Sequence, residues 1–299
     1  MTWLHFYLRS VCVCAALASG LAGEEDLSVL DDVSSFRLPE GFHIARVARA
    51  NVQSRRVQST SIMAAKTGAF ELLVSDDLSN FEPENIKKFS AIFFNNTNNE
   101  IFFPENPSKL ASGEKTRALA YDKLLKKSFS DYLAAGGGLV AIHAGAATFR
   151  KWPEFGKILR AGFKNHPWYS AITVTLKVEE PDHPVARAFK GPTFVVIDEI
   201  YQFKSPYSRD QVRVILSIDT EKTDMTKEEI VRTDNDFAMS WVKSYGKGRV
   251  FYTALGHDHA NYWNSTIFEH LLSGIQFAVG DLEADTTSSR KVKRQQRNQ

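Results

Sequence analysis

Short apolar runs alternate with a segment of helical periodicity in the first half of this chain, and that alternation limits the possible folds most. The runs at 91–94 and 138–142 have the length of buried strands, and 70–74 is a third candidate. Between the runs at 91–94 and 138–142, apolar residues recur on one helical face: Tyr121, Leu125, Phe129 and Tyr132. Strands alternating with helices favour a parallel sheet covered by helices. We therefore predict an α/β fold with an open, mostly parallel sheet and helices on both faces.

The second half of the chain predicts further strands and a closing helix. Candidate strands cover 171–178, 193–197, 212–218 and 248–255, and the helix covers about 266–279. Three prolines connect the first two of these strands: Pro181, Pro184 and Pro192. Because proline is confined to sheet edges and connections, we expect these strands to form an antiparallel extension of the sheet.

The first 23 residues have the pattern of a signal peptide. Arg9 is their only charge, 11–18 form an apolar core, and small residues follow before the acidic residues at 24–26. The apolar run is shorter than the roughly 18 residues that a membrane span needs. We therefore expect an exported protein, periplasmic or secreted, without membrane attachment after cleavage.

The cysteines exclude several kinds of chemistry. Cys12 and Cys14 are the only two in the sequence, and both lie in the predicted signal peptide. A mature chain without thiols has no disulfide, no thiolate metal site and no cysteine nucleophile.

Charge gives no indication of a nucleic-acid partner, because the formal net charge is only +2. The end of the chain is basic: Arg290, Lys291, Lys293, Arg294 and Arg297. We interpret 281–299 as a basic, disordered tail. The sequence leaves the oligomeric state open, a homo-oligomer included.

Two histidines follow predicted strands. His143 ends the strand in GGGLVAIHAGAATF, residues 136–149, and His257 follows GRVFYTALG. In open parallel sheets, ligands bind beyond the carboxyl ends of the strands. With His166 and Glu199, the two histidines supply imidazole and carboxylate for general acid–base catalysis. Alternatively, they could bind a divalent metal, for which three groups must converge on one point at about 2.0–2.2 Å.

Other polar residues have structural interpretations beside functional ones. Asn96 follows the strand at 91–94 and could line the pocket or satisfy the backbone of a turn. His183 precedes a proline, and we interpret it as shaping a turn. His259 lies two residues after His257 and could line the same pocket or face solvent.

Five ordered blocks carry a family resemblance: GGGLVAIHAGAATF, WPEFGKIL with FKNHPW, VEEPDHPVARAF, DEIYQF and YGKGRVFYTALGHDHANYW. From about 68 to 280 the chain resembles the ThuA-like (trehalose-utilisation) family. The resemblance implies a fold similar to class I glutamine amidotransferases, which is flavodoxin-like. His143 would stand where those enzymes carry their cysteine, and His257 resembles their triad histidine. Amidotransfer through a thioester is therefore excluded.

The segment 24–67 departs from the family pattern. Gly41-Phe42-His43 matches a family turn, but the preceding VSSFRL makes a poor core strand. We treat 24–67 as a divergent N-terminal segment that could supply a first strand and helix.

The family's link to sugar and 3-keto-glycoside breakdown implies a small-molecule carbohydrate as the partner. Trp168 and Tyr201, with Asn96 and Asp198, are then predicted substrate contacts, and His143, His166, Glu199 and His257 are the predicted catalytic residues. A hydrolase, lyase or isomerase step by proton transfer would fit these groups. The competing hypothesis is a non-catalytic sugar-binding or oligomerisation module on the same scaffold. Close approach of His143, His257 and Glu199 would favour the enzyme.

Overall fold

The computed structural model describes residues 55–292 of the chain. The predicted signal peptide, the Gly41-Phe42-His43 turn and residues 293–299 lie outside the described residues. In the described part the helices are α1 Arg55–Thr67, α2 Pro83–Ile86, α3 Ser112–Ala135, α4 Pro153–Leu159 and α5 Ser265–Val279. None of them is both long and apolar enough to cross a membrane.

The strands of the described part form one large sheet and one small ribbon. They are β1 Ala91–Asn95, β2 Gly138–Ile142, β3 Gly162–Trp168, β4 Thr173–Val178, β5 Thr193–Ile197, β6 Ile200–Lys204, β7 Arg213–Ile218, β8 Ala238–Tyr245 and β9 Gly248–Thr253. Seven of them form a sheet in the order β1-β2-β9-β8-β7-β4-β5, and β3 pairs with β6 in a separate antiparallel ribbon.

The sheet is less parallel than the sequence predicts. Only β1-β2 and β2-β9 pair in parallel, and the other four pairings are antiparallel. The physical reason is visible between β8 and β9, where Gly246 and Lys247 form a two-residue turn with Gly246 at φ 58°. A turn of that length can join only antiparallel strands. The α/β fold and the antiparallel extension are confirmed, but a mostly parallel sheet is not.

Helices cover both faces of the sheet. A Cβ added to Gly248 of β9 would meet the Leu133 carbonyl of α3 at 2.1 Å, whereas Phe251 of the same strand packs against Gly274 of α5. Residues 248 and 251 differ in parity, so their side chains point to opposite faces. α3 and α5 therefore lie on opposite sides of β9, as predicted.

Several predicted elements change in the structure. The stretch 68–77 contains no strand, although Ala69 and Phe70 are buried, so the strand predicted at 70–74 is wrong. Three strands were not predicted, namely β3, β6 and β8, because their sequences GFKNHPW, IYQFK and AMSWVKSY mix polar and apolar residues. The apolar residues of these strands contact the core because the strands pair with other strands. No local period of two in the sequence marks that pairing.

The first part of the predicted tail is packed against the fold. Ser288 and Ser289 are buried, the Ser289 amide donates to the Val212 carbonyl, and the Ser289 hydroxyl accepts from the Val214 amide at 2.8 Å. Arg213 reaches Asp285 at 3.3 Å. The prediction of disorder therefore does not hold for 281–292.

A buried histidine makes the fold acid-sensitive. His270 of α5 is fully buried; its Nδ1 donates to the Val185 carbonyl at 2.9 Å and its Nε2 lies 3.0 Å from the Ser240 hydroxyl. Burial lowers the pKa of His270 from 6.5 to about 4. Between those values the unfolded chain binds a proton that the folded chain does not, so stability falls as the pH decreases through this window.

At pH 5 we expect His270 to have removed about 2 kcal/mol of stability, from 1.5 pH units at about 1.36 kcal/mol each. Urea unfolding at pH 7 and pH 5 measures this loss. A His270→Gln variant should be less stable at pH 7 but lose correspondingly less on acidification. An unchanged pH dependence in that variant would assign the acid sensitivity to other groups.

Candidate functional site

His143 stands at a strained corner at the end of β2. Its φ is 45°, a conformation that residues other than glycine rarely adopt, and its side chain is buried. Ile142 is in register with Thr253 of β9, so Ala254 lies beside the corner and its carbonyl is 2.7 Å from His143 Nδ1. The Tyr252 hydroxyl donates to the His143 carbonyl at 3.0 Å. The corner thus has the strained geometry expected of an active-site turn.

The β3–β6 ribbon brings a carboxylate to this corner. Glu199, immediately before β6, lies with Oε1 3.3 Å from His143 Nε2. Its Oε2 is 3.9 Å from both His166 Nδ1 and His257 Nε2. The side chain of His143 is 1% exposed and that of Glu199 15%, whereas those of His166 and His257 are 36% and 34% exposed. All four predicted catalytic residues therefore meet, with two imidazoles at the surface.

Asp198 fixes the position of the His257 loop. Its buried carboxylate accepts from the amides of Gly256 at 2.7 Å, Asp258 at 2.8 Å and Glu199 at 3.0 Å. Gly256 has φ 110°, which favours glycine at this turn. Burial raises the pKa of Asp198, against the opposing effects of a neighbouring histidine and the three amide donors. Asp198 therefore positions the site rather than contacting a substrate.

The pKa of Glu199 reflects its three histidine neighbours. Burial alone would raise the pKa of Glu199, but the hydrogen bond to His143 and the electrostatic effects of His143, His257 and His166 outweigh burial. The net effect lowers the pKa of Glu199 below its ordinary value. Among the described residues, one group could hold a metal ion: ligand atoms of His143, Glu199 and His257 all lie within 4.8 Å of one another.

Trp168 is not a substrate contact. It is fully buried, its indole Nε1 donates to the Asp224 carbonyl at 3.0 Å, and its ring meets Phe237 edge-on. Trp168 lies two residues after His166 in the sequence, but β3 directs its side chain into the core.

Asn96 also serves the scaffold. It is buried, and its amide donates to the Gly256 carbonyl at 3.2 Å and the Tyr262 hydroxyl at 3.0 Å. Its φ of 56° belongs to a turn, which agrees with the structural interpretation given above. Asn96 thus holds the His257 loop at the Gly256 carbonyl, whereas Asp198 holds it at the Gly256 amide.

Tyr201 lies against the imidazoles, as a predicted pocket residue. Its ring centroid is 4.1 Å from that of His143 and 6.3 Å from that of His166. Because Tyr201 is only 6% exposed, it forms a wall of the site and offers little surface to a ligand.

Sequence reasoning missed Ser170, whose hydroxyl lies 2.8 Å from His257 Nδ1. Ser170 is exposed and follows β3, and no motif marks it. The only available signal was its position two residues after the FKNHPW block. Tyr169 beside it is 47% exposed and lies with its ring centroid 5.2 Å from that of His166.

A cavity of about 300 Å³ lies beside the histidine cluster, and none of the four catalytic candidates lines it. Its lining includes Phe163, Arg150 and Trp152. Phe163 also contacts His166 and Tyr201, with centroid distances of 6.3 and 4.6 Å. The cavity and the histidine cluster therefore share Phe163 as a wall.

His183 and His259 lie outside the cluster. His183 accepts from the Val185 amide at 3.2 Å and lies 3.0 Å from the Asp285 carbonyl, a turn role as interpreted above. His259 is exposed and is not among the ligand atoms grouped around Glu199.

Comparisons with known proteins place the chain in a family. A family model described as trehalose utilisation (ThuA) matches residues 46–278. The chain is similar to a ThuA-like protein from Bacteroides uniformis, with 23% identity, a TM-score of 0.57 and coverage of 75% of this chain and 84% of that one. A ThuA-like protein from Parabacteroides merdae has 19% identity, a TM-score of 0.54 and coverage of 79% and 88%. No curated protein matches the sequence. The family match spans most of the chain, and the chain therefore belongs to the ThuA trehalose-utilisation family.

Proposed function

We propose that this protein is exported and acts on a carbohydrate or an oxidised, 3-keto sugar derivative by proton transfer between histidine and carboxylate groups. The observation that carries the proposal is the convergence of His143, Glu199 and His257 within 4.8 Å at the carboxyl end of β2 and β9. Three titratable groups around one point are typical of a functional site and are not needed for the stability of a packed core.

Exposure distinguishes the groups that a substrate can reach. His143 is buried behind Glu199, whereas about a third of each side chain of His166 and His257 is exposed. We therefore assign substrate contact to His166, His257 and Glu199. His143 orients Glu199 through its 3.3 Å contact.

A keto sugar suits this set of groups. The keto group at C3 acidifies the hydrogen on C2, so a base can remove it and leave an enolate. If the C1–O bond then breaks, a carbon–carbon double bond forms and the departing oxygen takes a proton from an acid. One imidazole and one carboxylate or a second imidazole are enough for these two transfers.

The surroundings favour a ligand with more than one ring. Tyr169 presents an exposed aromatic edge near His166, and the 300 Å³ cavity begins at Phe163. Aromatic faces with polar neighbours suit the apolar faces and hydroxyl edges of sugars. We assign the second ring of a disaccharide-like substrate to that cavity.

Proton exchange tests the proposal before any product is known. Incubation of the protein with 3-keto-glycosides in D₂O should exchange the hydrogen next to the keto group, and NMR follows the loss of its signal. His143→Ala and His257→Ala should abolish the exchange with folding intact, while His259→Ala in the same loop should retain it. Equal exchange in all three variants would refute the assignment. Binding of keto sugars without exchange or turnover would instead support a sugar-binding module.

A further inference from the structure

We propose that His143, Glu199 and His257 bind a divalent transition-metal ion of the zinc class. This inference deepens the proposed function, because it uses the same site, but metal binding can be measured without any substrate. Two imidazoles and one carboxylate form a ligand set found in catalytic zinc sites, where further coordination positions stay open.

The hydrogen bond of His143 determines which nitrogen can bind an ion. Nδ1 lies 2.7 Å from the Ala254 carbonyl, and a carbonyl can only accept, so Nδ1 carries the hydrogen. The neutral ring then directs the lone pair of Nε2 at Glu199 Oε1, 3.3 Å away. Two electron-pair donors facing each other at that distance require a cation between them, either a proton or a metal ion.

A hydroxyl group orients the ring of His257. Its Nδ1 lies 2.8 Å from the Ser170 hydroxyl, which leaves Nε2 directed at Glu199 Oε2, 3.9 Å away. Metal-binding histidines usually bond their second nitrogen to a carbonyl, carboxylate or water, which fixes the tautomer and the ring orientation. The Ala254 carbonyl fixes the tautomer of His143 in this way, and the Ser170 hydroxyl, which can donate or accept, holds the ring orientation of His257.

The distances suit a small ion. Ligand atoms in a tetrahedral zinc site lie about 3.4 Å apart, given metal–ligand bonds of about 2.1 Å. The His143–Glu199 pair is already at 3.3 Å, and no pair of the three exceeds 4.8 Å. Rotation of the His257 or Glu199 side chain would shorten the remaining ligand–ligand distances to this value.

His166 indicates that the site is built to receive a further ligand. Its Nδ1 is buried without a hydrogen-bond partner and lies 3.9 Å from Glu199 Oε2. A buried unpaired nitrogen costs stability unless a ligand satisfies it. If the other three groups held the ion, His166 would remain available to take the proton from C2 of a keto sugar, and the ion would supply positive charge for the keto oxygen.

Zinc titration of the purified, untagged and chelator-stripped protein tests the site. We expect about one equivalent of Zn²⁺ to bind, measured by competition with a chromophoric chelator and by elemental analysis after dialysis. His257→Ala should reduce the affinity at least 100-fold, and Ser170→Ala should reduce it about 10- to 100-fold through the lost orientation of the ring. Ser170 is exposed, so its variant is expected to fold normally.

His259→Ala is the matched control, because it removes an exposed imidazole two residues from His257 and should leave zinc binding unchanged. No zinc binding by the folded wild-type protein, or an equal loss in the His259 and His257 variants, would overturn the proposal and leave a proton between His143 and Glu199. The result is separable from the proposed function, since failed zinc binding with retained exchange on keto sugars would refute the metal alone. Zinc binding without any exchange would refute the proposed reaction and leave the metal site intact.

Discussion

A Glu199→Gln variant is expected to lose about 10²- to 10⁴-fold of its exchange rate with 3-keto-glycosides, the range that a positioned acid or base contributes. Glutamine keeps the shape of the side chain and one acceptor oxygen, but it removes the negative charge that three histidines surround. The substitution should therefore spare the fold and change the chemistry. Exchange followed by NMR, with circular dichroism of the same sample, measures both.

Glu82→Gln is the matched control for this variant. Glu82 is also half-buried and accepts a hydrogen bond from the Tyr121 hydroxyl at 2.9 Å, but it lies outside the histidine cluster. We expect its exchange rate to equal that of the wild type. If Glu199→Gln also kept the wild-type rate, Glu199 would have no part in the reaction.

Gly138→Ala is expected to destabilise the fold by about 3 kcal/mol or more, at the upper end of overpacking effects. Gly138 begins β2, and a Cβ there would lie 2.0 Å from the Ala278 carbonyl oxygen of α5 and 2.7 Å from its carbon. These are backbone atoms, so no side-chain rotation relieves the clash. The end of α5 or the start of β2 must move, and β2 leads directly to His143.

Gly191→Ala provides the comparison, because its added Cβ would meet nothing closer than 3.9 Å. We expect its free energy of unfolding to stay within about 0.5 kcal/mol of the wild type. Urea unfolding of the three proteins at pH 7 gives the values. A Gly138→Ala protein as stable as Gly191→Ala would show that α5 can withdraw from β2 at little cost.

The parts of the site that follow strands were predictable from the sequence. His143 and His257 each come directly after an apolar run, and parallel strands bring their carboxyl ends to one edge of the sheet. His166 and Glu199 lie in blocks that carry the family resemblance. In the structure, Glu199 Oε2 lies 3.9 Å from both His166 Nδ1 and His257 Nε2.

The β3–β6 ribbon, which Ser170 follows and Glu199 precedes in one of its strands, was not predictable in the same way. β3 and β6 are short, partly polar and irregular in register, so no period of two marks them. Their pairing depends on side chains far apart in the chain, such as Gln202 and Asn165. Trp168 shows the same limit, because a bulged strand decides which of its side chains point inward, and that geometry cannot be read from sequence alone.

The Asp198 carboxylate links the positions of two residues of the site. It bonds the amide of Glu199 and those of Gly256 and Asp258, which flank His257, so segments separated by almost sixty residues share one anchor. Loss of the Asp198 carboxylate would therefore disturb the positions of Glu199 and His257 together. His143 is held independently of Asp198, through the Ala254 carbonyl and the Tyr252 hydroxyl at the β9 side of the site.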